Sequence, residues 1–417
     1  MPRIPIGTFA LVLLFTAACG GGAKTPSDNV LRIAMVSPGE AQIRVWKDIA
    51  GQYEKAHPGS KVELNFQKDT LYQAIGLPSL LNGRQAPDIY FEWAGDRLRT
   101  RVKEGFAADL GPQVTGGPLK GLIADSAYNR VKVDGKVVMV PFAADVTNVL
   151  WYNPKLLTDA GVQPPKTFDD LLAACDRLNA KGITPIASGN KDLWPAGNWL
   201  THLVSRVVGE QSYHDTMSGK SGLNTPEWER AFGYIARLKQ HKCVNESANA
   251  ANDNEGAQLF FKGKAAMHPI GSWLVSWAID EAPGLAFDYV NLPEMPGGAG
   301  DQSSVIGVVT GYVVNAKSAK VKESAEFLAL ANSPANVAAF VKSGTVPLAK
   351  GTTPDKEVDE RTIRLDGLLA DAKTVVSPPD TGYDLKRADA LYRALAAVLG
   401  GAKSPKDALA EAASKAG

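Results

Sequence analysis

An indole, a carboxylate and a guanidinium fall within five residues at Trp93, Asp96 and Arg97, just after the apolar run Ile89-Tyr90-Phe91. Pro87-Asp88-Ile89-Tyr90-Phe91 predicts a short buried strand that runs out into a turn at Ala94-Gly95. At such a strand end the carboxylate accepts hydrogen bonds from hydroxyls, the guanidinium donates them, and the indole covers an apolar C–H face. That combination suits a small polyhydroxylated molecule. It also suits an ordinary surface turn around a packed Trp, and the residue types alone leave both readings open.

Other residues of the same chemical types sit beyond other expected strands. Val30–Val36 predicts a first strand, with Glu40 and Gln42 just past the turn Ser37-Pro38-Gly39. The alternating run Lys61–Phe66 predicts a second, with Asp69 at its end. Between them the spacing of Val45, Trp46, Ile49, Ala50 and Tyr53 predicts a helix with Trp46 in the core. This β-α-β-α-β order implies a largely parallel sheet, whose ligand sites cluster beyond the carboxyl ends of its strands. Glu40, Asp69 and Trp93 to Arg97 therefore belong on one rim.

Further along, Asp134-Gly135 between alternating runs predicts a hairpin. The rhythm of elements restarts near Asp145, a candidate hydroxyl acceptor at a crossing between domains. Thr167 and Asp170 form a capping-box pattern at a helix start. The stretch Asp192 to Trp199 contributes Trp194, Asn198 and Trp199 as candidate contacts, although Trp199 also fits the inner face of the following helix. Gly271-Ser272-Trp273 opens another helix, whose first amides are candidates to bind a ligand oxygen beside the Trp273 ring. Trp277, one turn on, reads as its buried neighbour. Gly307 interrupts an apolar strand at 305–314 and permits close approach. The loop around Pro379 adds Asp380, Tyr383 and Asp384.

The totals narrow the class. A chain of 417 residues exceeds one usual core, so two domains are expected. With 45 Lys plus Arg against 44 Asp plus Glu there is no electrostatic case for nucleic acid. Arg3, the apolar run Ala10–Phe15 and the small residues Ala17-Ala18 predict an export signal too short to span a membrane. Cys19 followed by Gly20-Gly21-Gly22 resembles a bacterial lipoprotein signal, which implies a lipid anchor on Cys19 and a tether over 19–29. Cys175 and Cys243 remain; an oxidising compartment allows them to pair, and the sequence leaves pairing open. The His residues are scattered, and no metal or cofactor is expected.

Several phrases together resemble the carbohydrate-binding lipoproteins of bacterial ATP-driven (ABC) importers, the maltose-binding-protein-like extracellular solute-binding proteins. They are Ala86-Pro87-Asp88-Ile89 leading to Trp93-Ala94-Gly95-Asp96-Arg97, then Leu150-Trp151-Tyr152-Asn153, Pro165-Lys166-Thr167-Phe168, Phe260 to Met267, and Gly271-Ser272-Trp273. The resemblance implies an α/β fold of two lobes with a sugar cleft between them, with 30–143 and 308–358 in one lobe and 144–307 and 359–417 in the other. It implies ligand contacts at Trp93, Asp96 and Arg97 and stacking on Trp273. A monomeric, non-catalytic protein would then hand its sugar to the permease subunits of an importer. The first turn carries Gly39-Glu40-Ala41-Gln42 where maltose-binding protein has a Lys, and the Pro379 to Asp384 loop replaces its late aromatic platform, which argues against maltose as the ligand. The number of candidate aromatics favours a di- or oligosaccharide. The rival from another class is a glycoside hydrolase using a pair among Glu40, Asp69, Asp96 and Asp145, for which the sequence supplies no fixed separation. A binding protein for a non-sugar solute is the other alternative.

Overall fold

A computed structural model of the chain describes residues 29–350 and 359–416. The expected signal, the tether with Cys19, and most of the polar segment 354–360 lie outside the described residues.

Strands β1 (Val30–Val36), β2 (Lys61–Gln67) and β3 (Ile89–Trp93) pair in parallel with β1 in the middle, as the alternating apolar residues and intervening helices dictate. The Asp134-Gly135 turn, with both residues at positive φ, joins β4 (Lys132–Val133) to β5 (Lys136–Val137). Then β6 (Val140–Val146) leads into β7 (Val149–Tyr152), which with β8 (Thr184–Ile186), β9 (Ala265–Ile270) and β10 (Asp288–Val290) forms a second sheet in the order β10-β7-β9-β8. The chain returns through β11 (Val305–Val314), which lies antiparallel to both β3 and β6, and β12 (Val375–Val376) pairs with its first residues. The first sheet is therefore mixed rather than largely parallel. Its two late members enter from the other lobe, so they run against β1 to β3.

Each sheet region has its own apolar interior. Leu31, Ile33, Trp46, Ile89, Tyr312, Phe327 and Phe340 pack in the first. Leu150, Phe168, Trp199, Trp228 and Phe232 pack in the second, with a further cluster around Trp151, Phe260 and Leu274. Cys175, in the helix Phe168–Ala180, is disulfide-bonded to Cys243 across 68 residues. Cys243 lies just beyond the helix Pro226–Gln240. The Thr167–Asp170 capping box forms.

Two features bring the lobes' rims together. The helix Glu40–Ala56 starts at Gly39, which has no side chain to cap its first amides. Asp280, in the helix Leu274–Glu281 of the other lobe, supplies the cap: its Oδ2 accepts the Ala41 N–H at 2.8 Å and its Oδ1 pairs with Arg44 at 2.9 Å. At the opposite rim Gly95 has a φ of +108°, and a methyl group there would lie 2.5 Å from the Thr381 carbonyl oxygen. Only glycine accepts both the backbone angle and the approach.

Candidate functional site

Between the lobes lies a cavity of about 820 Å³. Its first wall grows from the ends of β1, β2 and β3. Trp93, half-buried, stands edge-on to Phe91 at 4.8 Å, and Trp46, Phe142 and Tyr312 pack behind them. Gln42 donates to the Thr345 hydroxyl, and Glu40 sits exposed beside it.

Arg97 does not line the cavity. The helix Asp96–Lys103 turns Arg97 and Arg101 inward, where Arg97 Nε donates to Glu92 Oε1 at 3.2 Å and Arg101 Nε donates to Glu92 Oε2 at 2.9 Å. Arg97 also lies 5.1 Å from the Trp93 ring centroid and donates to Gln73 Oε1 at 3.0 Å. Gln73 in turn donates to both oxygens of Asp69, at 2.9 and 3.0 Å. Arg97 is thus a positioning residue that holds Trp93 and, through Gln73, Asp69. Gln73 belongs to a π-helical turn, Tyr72–Gly76, a geometry often found at functional positions. Asp69 keeps part of its surface open to the cavity, but the walls crowd its carboxylate. Burial first, then the charges of Asp380 and Asp192, push its pKa up to about 6 against the pull of Gln73 and Arg97.

The second wall comes from helix starts. Trp194 and Trp273 face one another with ring centroids 5.9 Å apart and planes at 58°. Leu193, the residue before Trp194, is held at φ 68°, a left-handed conformation uncommon for a branched side chain. Asn198 Oδ1 accepts the Tyr392 hydroxyl at 2.6 Å, and that hydroxyl accepts the Asp380 N–H at 3.3 Å. Asp145 ends β6 at the crossing, where its two oxygens accept from Ser272 at 3.2 Å and Thr310 at 2.9 Å. Burial raises its pKa, partly offset by those hydroxyls.

The cavity thus brings together Glu40, Gln42, Asp69, Trp93, Asp145, Trp194, Asn198, Trp273 and Asp380. Other expected residues lie elsewhere. Asp96 pairs with Arg99 outside the cavity. Trp199 is 1% exposed in the second lobe's core, on the inner face of its helix. Gly307 and Tyr383 line a separate cavity of about 450 Å³, where the Tyr383 hydroxyl meets His214 at 3.2 Å. Asp384 caps the helix Leu385–Leu399 by accepting the Arg387 N–H. The amides at the Trp273 turn are also engaged: Ser272 N–H goes to Val146, Leu274 N–H to Gly271 and Val275 N–H to Ser272. The turn offers its aromatic face rather than those three donors.

Sequence reasoning missed Gln73, Asp192, Asp253 and the half-buried Trp277, all on the cavity wall. The Asn252 to Glu255 pattern marks Asp253 only as the first residue of a capped helix. For Trp277, the i,i+4 spacing from Trp273 is the same whether the shared face is a core or a cleft.

The family model described as bacterial extracellular solute-binding protein matches residues 38–338. The chain belongs to that family. This solute-binding protein is 24% identical over 424 residues to an uncharacterized ABC transporter extracellular-binding protein of Pyrococcus horikoshii, covering 91% of this chain and 92% of the relative. A probable sugar-binding periplasmic protein of Mesorhizobium japonicum is 25% identical over 271 residues, 64% of this chain and 60% of the relative. Among solved structures, one from work on xylan utilization by Caldanaerobius polysaccharolyticus superposes with a TM-score of 0.84 at 23% identity, covering 93% of this chain and all of the other. A chitin oligosaccharide binding protein gives 0.83 at 22% identity, covering 92% and 97%. The solute-binding protein therefore has the two-lobed periplasmic-binding-protein-like α/β fold, in a family defined by solute binding rather than catalysis.

Proposed function

We propose that this protein captures a sugar outside the cytoplasm and delivers it to the permease subunits of an ABC importer. The observation that carries the reading is the opposition of Trp93 on one wall to the Trp194–Trp273 pair on the other, with Asp69, Asp145, Asn198 and Asp380 between them. Indoles cover the C–H faces of a pyranose while carboxylates and amides take its hydroxyls. Glu40 and Gln42 complete the contact set at the rim. Solute that touches both walls favours the closed arrangement in which Asp280 caps the helix Glu40–Ala56.

A di- or oligosaccharide is the favoured size, since about 820 Å³ lies toward the upper end of the roughly 300–1,000 Å³ typical of ligand pockets. Structural relatives are described with both kinds of ligand, chitin oligosaccharide in one and β-D-galactopyranose in another. The lobes are assigned as 30–143 with 308–358 and 144–307 with 359–417. A monomer tethered through a lipid on Cys19 completes the proposal.

Isothermal titration of the exported chain with mono-, di- and trisaccharides, amino acids and oligopeptides tests it. Heat from one sugar class, abolished in a folded Trp273→Ala variant, is the expected result. Heat from amino acids or peptides alone would overturn the sugar assignment.

A further inference from the structure

The indole of Trp273 is folded back over its own turn. A methyl group built on Gly271 would lie 2.5, 2.1 and 2.3 Å from three successive atoms of the six-membered ring, Cε3, Cζ3 and Cη2, and these are the nearest atoms to it. Such similar distances to adjoining atoms put the methyl over the ring face rather than beyond its edge. Carbon atoms pack at about 3.5–4.0 Å, so methyl and ring have no space to coexist there. Only a glycine hydrogen fits. Gly271 does not adopt a positive φ, so the close approach of the ring, and not the backbone angle, is what calls for glycine.

The main chain beneath the ring is held on both sides. The Gly271 carbonyl accepts the indole N–H of fully buried Trp151 at 3.3 Å and the Leu274 N–H at 3.2 Å. Ser272 ties the turn to the crossing between the lobes: its N–H donates to the Val146 carbonyl at 2.8 Å, and its hydroxyl donates to Asp145 Oδ1 at 3.2 Å. The Trp273 carbonyl accepts the Ser276 hydroxyl at 2.8 Å. With the backbone pinned, bulk added at Gly271 is relieved most readily by rotating the indole about its own side-chain bonds. That indole is half-buried on the cavity wall, 5.9 Å from the ring of Trp194.

We infer that Gly271 is a positioning residue for sugar recognition: its bare Cα seats one face of the Trp273 indole and leaves the opposite face to the solute. This rests on the sugar-binding reading above and adds what orients its stacking surface. Stacking selects by angle as well as by area, because the apolar C–H face of a pyranose has to lie along the plane of the ring. The seat fixes that plane before the solute arrives, so binding does not have to order the side chain.

The test compares Gly271→Ala, Trp273→Ala and the double variant of the exported chain. Calorimetric titration with cellobiose, xylobiose, maltose and N,N′-diacetylchitobiose is expected to show the best-bound sugar weakened at least about tenfold by Gly271→Ala, the scale of losing a central aromatic contact. Because Gly271 acts through the ring, the double variant is expected to bind no more weakly than Trp273→Ala alone. Losses that simply add overturn the inference, and so does an unchanged affinity in Gly271→Ala. Near-ultraviolet circular dichroism gives an arm that needs no ligand. The difference between the parent and Trp273→Phe isolates the signal of Trp273 beside Trp194. Gly271→Ala is expected to lose that signal while its far-ultraviolet spectrum stays that of the parent; a retained signal overturns the inference. If Gly271→Ala does not fold, restored folding in the double variant supports the seat, and no restoration overturns it. A parent that binds none of these sugars counts against the sugar reading, and the dichroism then decides the placement of the ring by itself.

Discussion

The two walls of the cleft are built in different ways. On the first, Trp93 and Asp69 are held from behind by the buried sequence of contacts Arg101–Glu92–Arg97–Gln73–Asp69. On the second, Trp194, Trp273, Asp253 and Asp380 project from separate helix starts, and two of its carboxylates have an oxygen with no partner. The first wall is a braced platform, whereas on the second those unpaired oxygens are turned into the protein rather than toward the cavity. The difference sets a wall held from behind by ion pairs against one assembled from separate helix starts.

The largest effect expected is on the platform. Replacing Arg97 by Met leaves Glu92 buried with half its charge compensation, and urea denaturation should show a loss of about 3 kcal/mol, the lower end of the range for breaking a buried ion pair. An unchanged midpoint with weakened binding would instead make Arg97 a ligand contact. Next, Trp273→Ala should weaken sugar binding by about 2 kcal/mol, as a central aromatic contact does, and Trp93→Ala by about 1 kcal/mol. Equal losses from the two walls in calorimetry would erase the contrast.

A pH series sharpens it further. The carboxyl of Asp69 has its folded pKa raised to about 6 from 3.8, so its favourable contribution is full below about pH 3.8 and is lost as pH rises through about 6. Asp69→Asn should therefore gain stability relative to the parent as pH climbs through that window, approaching about 2 kcal/mol above pH 7. Comparison with the parent matters because buried His268, with its pKa pushed down to about 4 by desolvation, acts oppositely. Its contribution is full above about pH 6.5 and is lost as pH falls toward about 4. A difference that stays flat with pH would show Asp69 to be solvated rather than crowded. The smallest effect belongs to the rim. Arg44 is mostly exposed, so Arg44→Ala should change sugar affinity by less than about 1 kcal/mol, measured by titration.

Legibility followed the same division. The first wall stands at strand ends marked by alternation and turns, so Glu40, Asp69 and Trp93 could be placed on one rim from the sequence. The role of Arg97 was misread because a helix start fixes which of Asp96 and Arg97 faces inward, and the i,i+4 repeat of Arg97 and Arg101 was the available clue. The antiparallel entry of β11 depends on where the chain has been in the other lobe, which no local pattern records. On the second wall, Asp192, Asp253 and Trp277 meet only through the tertiary arrangement of distant helices. Trp199 and Trp194, five residues apart, show the limit plainly: one is core and the other lines the cavity.

The Cys175–Cys243 bond gives the two lobes different requirements for maturation. It closes a long loop in the second lobe alone, and a chain-entropy account assigns such a crosslink about 4 kcal/mol. A chain kept in a reducing compartment lacks that contribution on the side that carries Trp194, Trp273, Asp253 and Asp380. A chain whose two thiols stay reduced therefore has a less stable second lobe, the one from which half of the cavity wall projects.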